Sequence, residues 1–481
     1  MHLRQSLLPL LGSVVMTAFL AAEAADKNAW RKRSVYQLLT DRFAPVSFTA
    51  SALTPNLPKD CPTGGRSYCG GTWLSIIDKL DYIQGMGFDA IWISPVHQNL
   101  EGTTPYGESY YGFWVTDVQE LNPHFGNADD LKALSKAVHD RGMFLMVDIA
   151  VNFAASLMTD TSEAALLKQS VTFKKPEYYH PLCWIDYNSQ ASIERCWMGN
   201  DRVALMDLNT ENAIVQDILN KMIRDLVTTY RIDGLRVDAA KHVPKPFLAK
   251  FCAEAGVFCT GEVYSSDTAF VADYQKSKSL DSLLNFPAFF NGFKNAFQVP
   301  GRARMQDLGA SMTSVVNQFP DPGVNLVFIS NHDVSRLRSV TKSDSVAYNA
   351  VVWQFMFDGI PCHYYGEEQE IASGLSDPDQ RQALWASGMG GYSRTTNTYK
   401  RLGKLNTLRK FLFSGPVKLA TGTPGFPHER ANVLFTSRHD LVFIKGPIIV
   451  VLSNREALDT PLTLSLPSAI PSSRFRGDLY E

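Results

Sequence analysis

The sequence predicts an α/β fold, a TIM (β/α)8 barrel, from three observations: eight short apolar runs rich in β-formers, helical stretches between them, and one long polar interruption after the third run. The runs are SVYQLLTDRF (34–43), FDAIWISPV (88–96), GMFLMVDIAV (142–151), IDGLRVDAA (232–240), GVFCTGEVY (256–264), SLLNFPAFF (282–290), NLVFISNHD (325–333) and IPCHYYGEE (360–368). Helices are expected between them at TWLSIIDKLDYIQGMG, DDLKALSKAVHDRG and ENAIVQDILNKMIRDLVTTY, where apolar residues recur every three or four positions. Two of these end at glycine, a common helix stop.

Residues 153–207 are too many for an ordinary connection and are rich in turn formers, so they read as an inserted domain with a role of its own. The barrel is therefore expected over 26–152 and 208–415. Beyond it, NVLFTSRHD, LVFIKGPIIVVLSN and LTLSLP suggest a small all-β domain over 416–481. At the other end, His2 and Arg4 precede an apolar run that stops in small residues, the pattern of a secretory signal peptide over 1–25 cleaved near Ala24 or Ala25. An uncleaved N-terminal anchor is the alternative; no later segment is long and apolar enough to span a bilayer. The expected location is outside the cell or in the cell wall.

With 46 Lys plus Arg against 48 Asp plus Glu, the chain has no basic excess to attract nucleic acid or an anionic membrane. A neutral polymer is the more natural partner, and the chain is expected to work as a monomer. Its 7 cysteines lack zinc-type CxxC spacing. Cys61 with Cys69 and Cys183 with Cys196 sit in polar loops and read as staples, whereas Cys252, Cys259 and Cys362 lie in apolar stretches and read as buried thiols.

In a barrel of this kind the active site forms at the carboxyl ends of the strands. Here those ends carry Asp148, Asp238, Glu262, His332 and Asp333. One aspartate at a strand end is an ordinary turn former or helix cap; four acids on one face make a site. Arg236 and Asp238 are two residues apart in a strand and so share a face, where the guanidinium should keep the carboxylate ionised as a nucleophile. Glu262 follows VFCTG, and a carboxyl in partly apolar surroundings should hold a proton for a leaving oxygen. Two carboxyls in these roles are what glycoside cleavage with retention requires. Lys241, His242 and His332 add polar contacts, and Tyr106, Tyr110, Phe113 and Trp114 offer flat faces for sugar rings, although each aromatic alone fits a core equally well.

The motifs DIAVNF (148–153), LMDLNT (205–210), GLRVDAAKH (234–242), GEV (261–263) and FISNHD (328–333), in that order, resemble those of fungal α-amylases of the α-amylase superfamily, glycoside hydrolase family 13. LLTDRF, YCGGTW and IIDKLDYIQGMGFDAIWISPV add to the likeness, which runs from about residue 30 to about 475. The resemblance implies cleavage of internal α-1,4 bonds in starch- or glycogen-type glucans, with Asp238 as nucleophile, Glu262 as acid/base and Asp333 as third carboxylate. Arg236, Lys241, His242 and His332 carry over as substrate or nucleophile contacts, and Asp377 and Arg381 match a substrate-contacting pair. The insertion looks like the family's domain B, with a Ca2+ site at Asn152, Glu194, Asp207 and the carbonyl of His242, all oxygen donors suited to a hard cation. The C-terminal part resembles the family's β-sandwich, shortened.

Three positions depart from the family. Asn152-Phe153 stands where an Asn-His pair is usual, Tyr111 replaces a histidine, and Phe113 replaces a tyrosine. The same histidine loss resembles relatives that act as 4-α-glucanotransferases, in which a sugar rather than water resolves the covalent intermediate. A non-catalytic α-glucan-binding protein is a third reading, opposed by the intact carboxylate trio.

Overall fold

The computed structural model describes residues 25–45, 61–158, 169–298, 304–386, 391–414 and 426–456, with Leu167 and Met389. Residues 1–24 of the expected signal peptide and the LTLSLP segment lie outside them.

The barrel strands are β1 (Val35–Leu38), β2 (Ala90–Ile93), β3 (Phe144–Ala150), β4 (Gly234–Asp238), β5 (Phe258–Gly261), β6 (Ser282–Leu283), β7 (Leu326–Val327) and β8 (Ile360–Tyr364). They form one eight-stranded sheet in the order β6-β5-β4-β3-β2-β1-β8-β7, and every paired neighbour is parallel. A parallel bridge between Leu284 and Leu326 brings the two edges together and makes the TIM barrel. Runs of Val, Ile and Leu suit these strands because both faces are buried, one by the barrel interior and one by helices.

The helices that cover the sheet begin where short polar side chains can take up free backbone donors. Asn127 and Asp130 form a reciprocal cap on Ala128–Asp140, and Asn212 caps Ala213–Tyr230. The expected helix at TWLSIIDKLDYIQGMG is two, Trp73–Ile77 and Leu80–Gly85. Every strand is shorter than its apolar run, and in three runs the remainder takes another course. Thr40–Phe43 turns helical after β1. After β6, Pro287 has no amide to give a ladder, and the chain continues as helix Phe286–Ala288 and a π-helix Phe289–Gln298. In the run 325–333 only Leu326–Val327 pairs as a strand, because the residues after it turn inward at the barrel mouth.

Within the insertion, Phe153–Leu157 and Met198–Gly199 flank Val203–Asp207 in an antiparallel sheet. Cys183–Cys196 staples this region and Cys61–Cys69 the loop after β1. Cys259 and Cys362 are buried free thiols; Cys252 is only partly buried, because its helix faces solvent there. A three-stranded antiparallel sheet, Asn432–Thr436, Asp440–Lys445 and Ile448–Ser453, follows the barrel. It is joined to the barrel by a buried ion pair, Lys445 Nζ to Asp358 at 3.0 Å. Among the described residues, no helix is long and apolar enough to cross a membrane.

Candidate active site

Strand β4 alternates its side chains, so Arg236 and Asp238 point into the barrel mouth together. Arg236 is fully buried and holds three carboxylates at once. Its Nη1 donates to Asp148 Oδ1 at 2.9 Å and to Asp238 Oδ1 at 2.6 Å, and its Nη2 lies 2.8 Å from Glu262 Oε2. Asp148 comes from the adjacent β3, where it also accepts from Trp92 Nε1 at 3.1 Å. Glu262 follows β5 directly. A Cβ at Gly261 would come within 2.3 Å of the Leu280 side chain, which would have to shift. Ala239, just after Asp238, sits in the left-handed region at φ 47°, a conformation costing an L-residue about 1 kcal/mol. That turn aims its amide at Glu262 Oε2, 3.1 Å away.

One guanidinium among three acids changes the expected ionisation of Asp238. Burial pushes this carboxyl well above the ordinary carboxylate range, Arg236 opposes the rise, and Glu262 and Asp148 add to it. Burial likewise pushes Asp148 up to about 7 against the pull of Arg236. Arg236 pulls the Asp238 carboxyl down, as its place two residues away predicts, but its charge is divided among three acids and works against burial.

Asp333 faces the same cavity and is more exposed. His332 Nε2 lies 3.1 Å from Asp333 Oδ2, while its Nδ1 meets Gln37 Nε2 at 2.9 Å. Since the amide can only donate, Nδ1 accepts and the ring proton is assigned to Nε2, toward Asp333. Burial, with Arg236 and Arg381 adding, holds this imidazole well below its usual range and so neutral. Arg381 donates from Nε to the His332 carbonyl at 2.9 Å and pairs with Asp377 at 2.9 Å.

These groups open on a cavity of about 310 Å³ lined also by Trp114, Lys241 and His242. Both ring nitrogens of His242 are buried without a partner, and burial pushes its imidazole down to about 4. Asp377 and Tyr106 do not line the cavity. Asp377 is exposed outside it, and Tyr106 is 40% exposed with its hydroxyl accepting from Asn200 Nδ2 at 3.0 Å. Tyr110 is buried under the Arg42 guanidinium, which makes it core. All three departures line the cavity: Phe113 stacks on His332 at 4.9 Å, Tyr111 lies 4.5 Å under Arg381, and Phe153 is buried. Tyr264 was not anticipated; its place two residues after Glu262 in extended chain was the available signal. Gln37 and the amide of Ala239 carry no motif that would reveal them.

The proposed metal ligands fall in two groups. Leu208 N donates to the Asn152 carbonyl at 2.8 Å, and Asp207 pairs in register with Phe153, so Asn152 and Asp207 are neighbours. Asp207 Oδ1 is buried without a partner while Oδ2 meets His180 Nδ1 at 2.6 Å. Gln190 Nε2 donates to Glu194 Oε1 at 2.7 Å and to the carbonyl of Lys241, the residue before His242, at 3.0 Å, which links Glu194 to that turn. Among the described residues no group of three or more His, Cys, Asp or Glu is arranged to hold a metal ion.

An acidic cavity with a buried arginine at the carboxyl ends of barrel strands defines a glycoside-processing barrel enzyme. Residues 37–250 and 246–399 match the family model described as alpha amylase, catalytic domain. The chain is 40% identical over 432 residues to α-amylase 2 of Schwanniomyces occidentalis, covering 88% of this chain and 79% of that protein. It is 37% identical over 450 residues to the α-amylase of Saccharomycopsis fibuligera, covering 93% and 86%. The solved α-amylase of Malbranchea cinnamomea superposes with a TM-score of 0.80 at 38% identity, covering 89% of this chain and 86% of that one. This chain belongs to the α-amylase family and is a glycoside hydrolase of it.

Proposed function

We propose that the chain cleaves internal α-1,4-glucosidic bonds of starch- or glycogen-type glucans with retention of configuration, Asp238 attacking the anomeric carbon and Glu262 protonating the departing oxygen. The observation that carries this reading is the Arg236 fork, which holds both carboxylates on one planar group. A retaining pair works at a spacing of about 5 to 5.5 Å, too close for water to enter between nucleophile and sugar. Asp238 forms the glycosyl ester as the bond to the leaving oxygen breaks. Glu262, now anionic, takes a proton from water, whose oxygen displaces Asp238 and restores both groups. Asp333, His332 and Arg381 hold sugar hydroxyls, with Lys241, His242 and Trp114 at the cavity wall. Incubation with maltoheptaose tests this: shorter maltooligosaccharides released first as α-anomers are expected, and an unchanged chain length with folded protein would sink it.

Enzymes of this family generally bind calcium. The unpartnered Oδ1 of Asp207 suits a cation, and Asn152, Asp207, Glu194 and the His242 carbonyl would hold Ca2+, whose charge would tie the insertion to the barrel. The barrel is assigned to 26–152 and 208–415, the insertion to 153–207 and a β domain to 416–481. The enzyme is read as a secreted or wall-associated monomer.

Transfer to a second glucan, as in a 4-α-glucanotransferase, is favoured by one observation, the three aromatic rings of Phe113, Phe153 and Tyr111 in the cavity lining. Water has fewer partners there than a sugar has contacts. Products longer than the donor with little rise in reducing ends would favour transfer. Phe153→His should then shift products toward hydrolysis.

A further inference from the structure

Of the 7 cysteines, four are joined in the two disulfides, and Cys252, Cys259 and Cys362 carry free thiols. Cys362 is buried on β8, whereas the other two are brought together by the turn that leads into β5. Helix Lys245–Ala255 buries Phe247, Leu248, Phe251 and Ala255, and Cys252, three or four residues from Leu248 and Ala255, stands at the margin of that face. The helix stops at Gly256, which takes the left-handed conformation at φ 65° and donates its amide to the Cys252 carbonyl at 3.2 Å. The chain thereby reverses and enters β5 at Phe258.

Along β5 the side chains alternate. Glu262 reaches the cavity and Thr260 shares its side, so Cys259 points the other way, out of the lumen and toward the helices. Cys259 is fully buried, and its backbone is held by N donating to Asp281 Oδ2 at 3.1 Å. There it meets Cys252, with which it shares a side-chain hydrogen bond. Side chains in that contact are aimed at each other, which is what a disulfide requires of its two cysteines. Cys252 alone of the two keeps a part facing solvent, so an oxidant reaches it first.

We propose that Cys252 and Cys259 are an oxidation site that closes to a third disulfide and clamps helix Lys245–Ala255 to the strand that carries Glu262. The co-reactant is a low-molecular-weight disulfide such as oxidised glutathione. Cys252 gives up its proton and attacks one sulfur of that disulfide, forming a mixed disulfide and expelling one thiolate, which takes the proton. Cys259 then gives up its proton and attacks the Cys252 sulfur, expelling the second thiolate, which is protonated in turn. The chain loses two electrons and two protons, and the oxidant becomes two thiols. Burial, with the neighbouring Cys252 adding, holds the Cys259 thiol well above its usual range, which makes the second step the slow one. No glucan takes part, and the bond forms whether or not the protein cleaves one.

The test incubates the folded protein with oxidised glutathione, blocks the remaining thiols with iodoacetamide in denaturant and maps the tryptic peptides. Cleavage after Lys250 and Lys276 leaves both cysteines in one peptide, 251–276. That peptide is expected unalkylated and lighter by two hydrogens than its dithiol form, with Cys362 alkylated. Alkylation of Cys252 and Cys259, or glutathione left on Cys252 of the parent, overturns the proposal. Cys259→Ser removes the second thiol, so glutathione should stay on Cys252 in that variant; its absence there overturns the route through Cys252. The clamp is read separately by melting: the oxidised parent should melt about 2–3 °C above Cys252→Ser given the same treatment, from ring closure over residues 252–259. Equal melting temperatures overturn the clamp.

Discussion

Arg236→Lys is the substitution whose effect follows most directly from the geometry. Arg236 makes charge-assisted contacts with three carboxylates, at 2.9 Å to Asp148, 2.6 Å to Asp238 and 2.8 Å to Glu262. A lysine keeps the charge but lacks the planar fork, so it can serve one or two of these acids, not all three in their present places. Each such bond is worth about 1.5–3 kcal/mol, and losing two would cost about 3–6 kcal/mol. The cost is limited because Asp148, already pushed up to about 7, takes a proton easily at neutral pH, leaving a net destabilisation of about 3 kcal/mol. At an unfolding entropy of roughly 2 cal/mol/K per residue, a chain of this size should lose about 3–4 °C in melting temperature. Catalysis should suffer more, because the nucleophile loses its 2.6 Å anchor; kcat/KM on maltoheptaose should fall by about 10²–10³. Differential scanning fluorimetry and initial-rate kinetics read the two effects. A variant that keeps kcat/KM within tenfold of the parent would show that the fork does not organise the reaction.

The remaining predictions concern ionisation, calcium and the insertion. Asp238 must be anionic to attack and burial raises its carboxyl, so kcat/KM should climb with pH along an acid limb above the ordinary carboxylate range; Asp148→Asn removes a neighbouring negative charge and should move that limb to lower pH. A limb that stays put or rises would contradict the division of the Arg236 charge. A calcium chelator should lower the melting temperature by the equivalent of about 2–3 kcal/mol for an ion present at about 100 times its Kd, with calcium restoring it; Glu194→Gln should shrink that shift, and no shift in the parent would remove the calcium assignment. Replacing Cys183 and Cys196 by serine opens a loop with a sequence separation of 13 and should cost about 3 kcal/mol, seen as a lower melting temperature and faster proteolysis within 153–207.

The residues at the cleft differed in how far their roles could be read from order along the chain. Arg236 and Asp238 were legible as a pair because strand alternation puts residues two apart on one side, and that rule needs no tertiary information. Asp148 was visible as an acid at a strand end, but its share of the Arg236 charge depends on β3 lying beside β4, which is a fact of sheet order. Tyr110 shows the opposite failure: an aromatic in a polar, turn-rich stretch looks like a sugar platform until the fold closes Arg42 over it. The strand boundaries after β1, β6 and β7 were overrun for a related reason, since apolarity reports burial and not the ladder partner that makes a strand.

The sequence by itself determined the barrel and the identity of its acids, since burial patterns and strand alternation are local properties written at a period of two or of three to four residues. Only the tertiary structure decided how one guanidinium is divided among Asp148, Asp238 and Glu262, that Phe113, Phe153 and Tyr111 line one cavity, and that Tyr106 and Asp377 stand outside it. Those are distances between residues far apart in the chain, and they set charge, desolvation and reach, on which the chemistry depends.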